Sequence, residues 1–97
     1  MEIKFDINKV VVKDLDGSVL IVNTGKALGN SIYKITNTLD WLDIAKTIHS
    51  GNVIELGVNE LTGLKSLISS NNCELLICVK VGILDYINEL IGSPKGN

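Results

Sequence analysis

The chain has 97 residues, 45% apolar and 21% charged, with a formal net charge of −2 and a mean hydropathy of +0.30. This length holds one domain with a modest core, and the apolar content excludes a disordered chain or a highly charged nucleic-acid arm. All nine basic residues are Lys, scattered from Lys4 to Lys95 against eleven acids. Without the bidentate fork of Arg or a dense basic cluster, DNA or RNA binding is disfavoured.

Ile3, Phe5 and Ile7 alternate with Lys4 and Asp6, the period of a strand, so residues 2–7 read as extended. Val10, Val11 and Val12, then Asp16-Gly17, then the apolar run 19–22 predict a β-hairpin over residues 9–22. β-branched residues favour strands, and Gly takes the positive φ of a tight turn without steric cost. Asn23 or Thr24 offers a side-chain oxygen to the first helix amides. Ala27, Leu28, Ile32, Ile35 and Leu39 then fall on one face of a first helix. Gly29, in its middle, costs about 1 kcal/mol relative to Ala and marks close approach of another backbone. Asn37-Thr38 breaks the pattern.

Asp40 is the expected cap of a second helix, whose face is Trp41, Ile44, Ala45 and Ile48. His49 sits in its last turn, and Gly51 is its C-terminal glycine. Residues 53–56 form a short third strand closed by Gly57. Asn59 caps a third helix with the buried stripe Leu61, Leu64, Leu67 and Ile68, followed by a loop over 69–72. The next segment reads as a helix over 73–91, with a strand as the alternative for its first seven residues, where Leu75, Ile77, Val79 and Val81 alternate. The only Pro is Pro94, and residues 93–97 read as a flexible C-terminal tail. The expected class is α+β: an N-terminal β-hairpin and a short third strand packed against about four helices, one domain over residues 1–92.

Cys73 and Cys78 lie in a C-x4-C spacing inside an apolar run. Two thiols are too few for a disulfide scaffold, and no apolar signal segment follows Met1, so the expectation is a reduced, cytoplasmic protein with buried thiols. The longest nearly apolar stretch, residues 75–84, is interrupted by Lys80 and falls short of the roughly 20 residues of a membrane span. His49 is the single His and lacks neighbours at metal-ligand spacing. Paired with Cys73 or Cys78 it could be written as base and nucleophile, but nothing in the spacing recommends that pairing. Asp14-x-Asp16-Gly17 echoes a calcium loop, yet aligning Gly17 with the required Gly puts Val12 and Asn23 at the first and twelfth ligand positions. Gly25-Lys26-Ala27 lacks both the Ser/Thr and the earlier Gly of a phosphate loop. Asp40 and Asp43 share a helix face without the partners an acid/base pair needs. No metal, cofactor or small-molecule substrate is expected, and no catalytic residue.

The informative feature is apolar surplus. Residues 75–84 are apolar or Gly at nearly every position, and a helix apolar all round must be covered on more than one side. Either the hairpin covers the extra face, or the face is a contact surface for a second copy or another protein. The contact surface expected on the second reading is Leu76, Val79, Ile83, Tyr86 and Ile87, with Trp41 and Tyr86 as aromatic anchors. The order of pieces adds a resemblance. The hairpin with Lys13-Asp14-Leu15-Asp16-Gly17 is followed by Leu28-Gly29-Asn30-Ser31-Ile32-Tyr33 and by Leu42-Asp43-Ile44-Ala45-Lys46-Thr47-Ile48-His49. Then come Gly51-Asn52-Val53-Ile54-Glu55-Leu56, Asn59-Glu60-Leu61 and a last apolar helix. This layout, over residues 10–91, resembles small proteins encoded in bacteriophage and prophage gene clusters. The resemblance implies a non-enzymatic, phage-related protein acting through protein contacts and carries no functional residue with it. The expected function is therefore non-catalytic interaction or assembly, as a homo-oligomer or with a protein partner. The alternative is a small regulatory protein that binds nucleic acid or a regulatory partner.

Overall fold

The computed structural model describes residues 2–92; the tail expected over 93–97 lies outside them. The chain runs β1 (Glu2–Phe5), a single 3-10 turn (Ile7–Lys9), β2 (Val12–Lys13), β3 (Val19–Leu20), α1 (Thr24–Ile35), α2 (Leu39–His49), β4 (Ile54–Gly57), α3 (Val58–Ser69) and α4 (Ile77–Ile91). Two antiparallel pairs form, β1 with β4 and β2 with β3. The architecture is the α+β arrangement that the hydrophobic periods predict: a hairpin, a short third strand and four helices.

β1 pairs with β4 in the register Glu2–Gly57 to Phe5–Ile54. The strand alternation puts Phe5 inward, where it is fully buried with Leu56. Asp6 turns the chain out of β1 by accepting the Asn8 N–H at 3.0 Å, which drops Ile7 into the core.

α1 and α2 form the closest helix pair because Gly25 and Gly29 lie four residues apart on one face of α1. A Cβ on Gly29 would stand 2.7 Å from His49 Cβ and 2.8 Å from the Ala45 carbonyl oxygen, and one on Gly25 would stand 2.7 Å from the Ile48 carbonyl oxygen. The helix-weakening glycines are thus the condition for backbone contact. The Asn23 side chain caps α1 by accepting the Lys26 N–H at 3.1 Å. α1 ends at Ile35, and the Thr36 hydroxyl donates to the Ile32 carbonyl at 2.7 Å. Leu39 consequently starts α2 and is exposed, off the α1 face on which its spacing puts it.

Helix starts differ from the sequence expectation in three further places. α2 is capped by Thr38, with Asp40 inside the first turn, where its charge still suits the helix dipole. α3 begins at Val58, ahead of Asn59, and the Glu60 carboxylate accepts the Gly57 N–H at 2.9 Å. α4 begins at Ile77, ahead of which residues 73–76 form neither helix nor strand. Buried Cys73 anchors that segment, its N–H donating to the Ser70 carbonyl at 3.1 Å. Gly51 does follow α2 in the left-handed region at φ +78°, and its N–H reaches the Ile48 carbonyl at 3.0 Å.

One contiguous core joins Phe5, Leu28, Ile32, Ile48, Leu61, Leu64, Ile83 and Ile87. α4 supplies Val79, Ile83 and Ile87, spaced by four residues along its inward stripe. Among the described residues no helix is long and apolar enough to cross a membrane.

Candidate interaction site

The sequence-expected chemistry does not converge. His49 is exposed and lines a groove between α1 and α2 with Asn30, Tyr33, Lys46 and Ser50. Cys73 is buried elsewhere, and half-buried Cys78 lines a different groove with Val11, Asp85 and Tyr86. Asp40 and Asp43 are both exposed on α2. Among the described residues no group of three or more His, Cys, Asp or Glu is placed to hold a metal ion. Lys9 and Lys13 share their groove with Asp85 and Glu89, so that surface is mixed in sign.

The tip of the hairpin is built as a turn. Gly17 takes φ +89°, and the Asp14 N–H donates to the Ser18 carbonyl at 2.9 Å. The Asp16 carboxylate accepts the Ser18 N–H at 2.9 Å, and this bond holds its carboxyl below the usual aspartate range. The carboxylates thus serve the turn's own amides, and the calcium-loop echo has a local structural cause.

The expected contact residues on α4 separate into two groups. Val79, Ile83 and Ile87 are 4%, 0% and 0% exposed, enclosed by the chain's own core. That burial removes them from any surface of the folded monomer. Tyr86 is half-buried, its ring edge-on to Phe5 with centroids 5.3 Å apart, and its hydroxyl accepts the Asp6 N–H at 3.0 Å. Trp41 is half-buried against α3, where a Cβ on Gly63 would stand 3.3 Å from its ring. Both aromatics therefore work as internal ties. Leu76 alone of the six is exposed, at the start of α4 beside exposed Ile77. The hairpin does lie against α4, which is the other reading of the surplus: a Cβ on Gly82 would be 2.5 Å from the Val11 carbonyl oxygen.

The longest run of exposed apolar residues lies on the hairpin. Leu15 and Ile21 are fully exposed, and Val19 is 65% exposed. Val12 is the one fully inward residue of the four strand residues. Leu20 faces Val12 across the ladder, and Val19 faces Lys13. Alternation places Val19 and Ile21 on the outer face with Val11 and Lys13, and all four are solvent-exposed. An antiparallel sheet ordinarily turns polar residues to its solvated face; here three of these four are apolar.

The two edges of the hairpin also differ. Asp14 and Ser18 are hydrogen-bonded, so in an antiparallel ladder Val12 and Leu20 form the next bonded pair. The backbone groups of Val11 and Lys13 then point away from β3, and α4 closes that side at Gly82. The backbone groups of Val19 and Ile21 point away from β2 on the other side. There β3 has no second substantial partner element among the described residues. The 19–22 run carries no charge or Pro, the devices that ordinarily protect a free edge. The signal available in the sequence was the unbroken run 19–22, which lacks the polar alternation of a solvent-facing strand.

Fold and surface together define a small α+β protein with an uncovered apolar hairpin and a free strand edge. Comparison with protein-family models, curated proteins and solved structures gives no match for the chain.

Proposed function

We propose that this is a non-catalytic protein–protein interaction or assembly protein whose contact surface is the β2–β3 hairpin. The observation that carries the reading is Val19-Leu20-Ile21-Val22, apolar and solvent-exposed beside an unpaired backbone edge. Exposed apolar surface on a small protein marks a place where another molecule sits, and an unpaired edge receives an extended chain. The contact moves from α4 to the hairpin, with Leu76 and Ile77 as a smaller apolar spot. The resemblance of the layout to small bacteriophage and prophage proteins implies a role of the same kind.

A photo-reactive amino acid at position 21 tests the reading, with the same group at exposed Lys46 on α2 as the control. In extracts of the producing cells, position 21 is expected to give discrete protein adducts that position 46 does not. Equal labelling at both positions, or none at 21, overturns the hairpin as the contact surface.

A further inference from the structure

We propose that the occupant of the free edge is β3 of a second copy of this chain, paired antiparallel about a two-fold axis through Leu20. The two hairpins would form one four-stranded sheet in the order β2–β3–β3–β2. This rests on the hairpin being the contact surface.

Four features point to a second copy. A hairpin gains stability from a further strand or from packing against a helix; here β2 has α4 beside it, whereas β3, with two paired residues, has β2 as its one substantial partner. The outward backbone groups belong to Val19 and Ile21, one residue either side of Leu20. Antiparallel pairing through Leu20 sets Val19 of one copy opposite Ile21 of the other, so both sets of outward N–H and C=O groups meet at once. Leu20 meets Leu20 at the non-hydrogen-bonded position, where side chains approach closest. No charge lies between Val19 and Val22 to repel the copy.

The ends of the pairing are complementary in charge. The register carries the acidic turn, Asp14 and Asp16, alongside the partner copy's Asn23 and Thr24. There α1 begins, with Lys26 in its first turn. A helix amino end and a Lys both favour a neighbouring carboxylate. The interface is isologous, the same patch on both subunits, and closes at two copies.

The test uses the full chain. Light scattering across a wide concentration range is expected to approach twice the 10.5 kDa chain mass, with amide exchange at Val19 and Ile21 slowing as the dimer fills. Ile21→Lys changes a fully exposed side chain, so the fold persists, and the dissociation constant is expected to rise at least about tenfold. Leu20→Cys under mild oxidation is expected to give a disulfide-linked dimer. Leu15→Cys, more accessible than position 20 at the turn tip but off the axis, is expected to give none beyond that of the native thiols. A dimer untouched by Ile21→Lys and not trapped through Leu20→Cys overturns this pairing. A monomer at every concentration also overturns it; if position 21 still labels a different protein, the hairpin remains the contact surface and the partner is that protein's extended segment. A monomer with no adduct at position 21 defeats both readings.

Discussion

The molecule contains two sheets of the same kind, each an antiparallel pair, and they have opposite relations to the core. β1–β4 is made by strands whose paired residues lie 49 to 55 positions apart, each strand four residues long. It directs Phe5 and Leu56 into the centre of the molecule and is tied to α4 through Tyr86. β2–β3 is local in sequence, two residues to a strand, and directs only Val12 fully inward. Long-range pairing here is structural, because burial of Phe5 and Leu56 offsets the closure entropy of the intervening chain. Local pairing forms with little closure cost, so the hairpin holds with less burial than β1–β4: Val12 against α4. That leaves its outer apolar residues free for another molecule.

Substitutions can break this contrast. Phe5→Ala, in the buried sheet, is expected to cost about 3–5 kcal/mol in urea unfolding, through lost burial and the cavity left beside Tyr86. A cost below about 1 kcal/mol would show that β1–β4 is not part of the core. Gly82→Ala acts where α4 meets the hairpin backbone. Its methyl collides with the Val11 carbonyl, which is not a flexible side-chain end, so about 1–3 kcal/mol is expected. The accompanying chemical-shift changes should centre on residues 10–13 and leave β1 unchanged.

The smallest effect concerns the turn. The bond from Ser18 lowers the folded-state pKa of Asp16. Its contribution is therefore present above the unfolded aspartate value of about 3.9. It is lost as pH falls through the lowered folded value. An NMR titration should place the Asp16 midpoint below the ordinary aspartate value of about 3.9. Asp16→Asn keeps an acceptor oxygen at the turn and should remove this acid sensitivity from the hairpin while leaving β1–β4 as it was. A midpoint at or above the ordinary aspartate value would dissolve the turn bond.

Legibility in the sequence divides along the same line. Element types and order follow from hydrophobic period. Gly29 announced its backbone neighbour, since a mid-helix Gly has a cost that close packing offsets. Gly51 announced its left-handed turn. Helix starts were less legible, because several neighbouring residues can satisfy the same orphan amides. Thr38 therefore occupies the α2 N-cap position without a side-chain capping bond, while at α3 the carboxylate that reaches back is Glu60 and the cap is Gly57. The contact surface was least legible. Apolar character alone does not say whether a side chain meets its own chain or another. Once 77–91 is a helix, Val79, Ile83 and Ile87 fall on one inward stripe, whereas Val19 and Ile21 have no inward face left to occupy. The difference is one of geometry, set by where α4 lies on β2.

The contact between Tyr86 and Asp6 spans 80 residues of chain, and it orders events during synthesis. At about 5–20 residues per second, roughly four to sixteen seconds separate the appearance of Phe5 from that of the ring that covers it. Throughout that interval Phe5 lacks the Tyr86 ring that packs edge-on against it in the folded protein. The newborn chain cannot seal its core piece by piece; it closes late, when α4 arrives, and contacts of such long sequence separation slow the final step. A ribosome-bound chain stopped before residue 77 is thus a natural ligand for a chaperone, presenting at its front end the residues that the finished protein hides most completely.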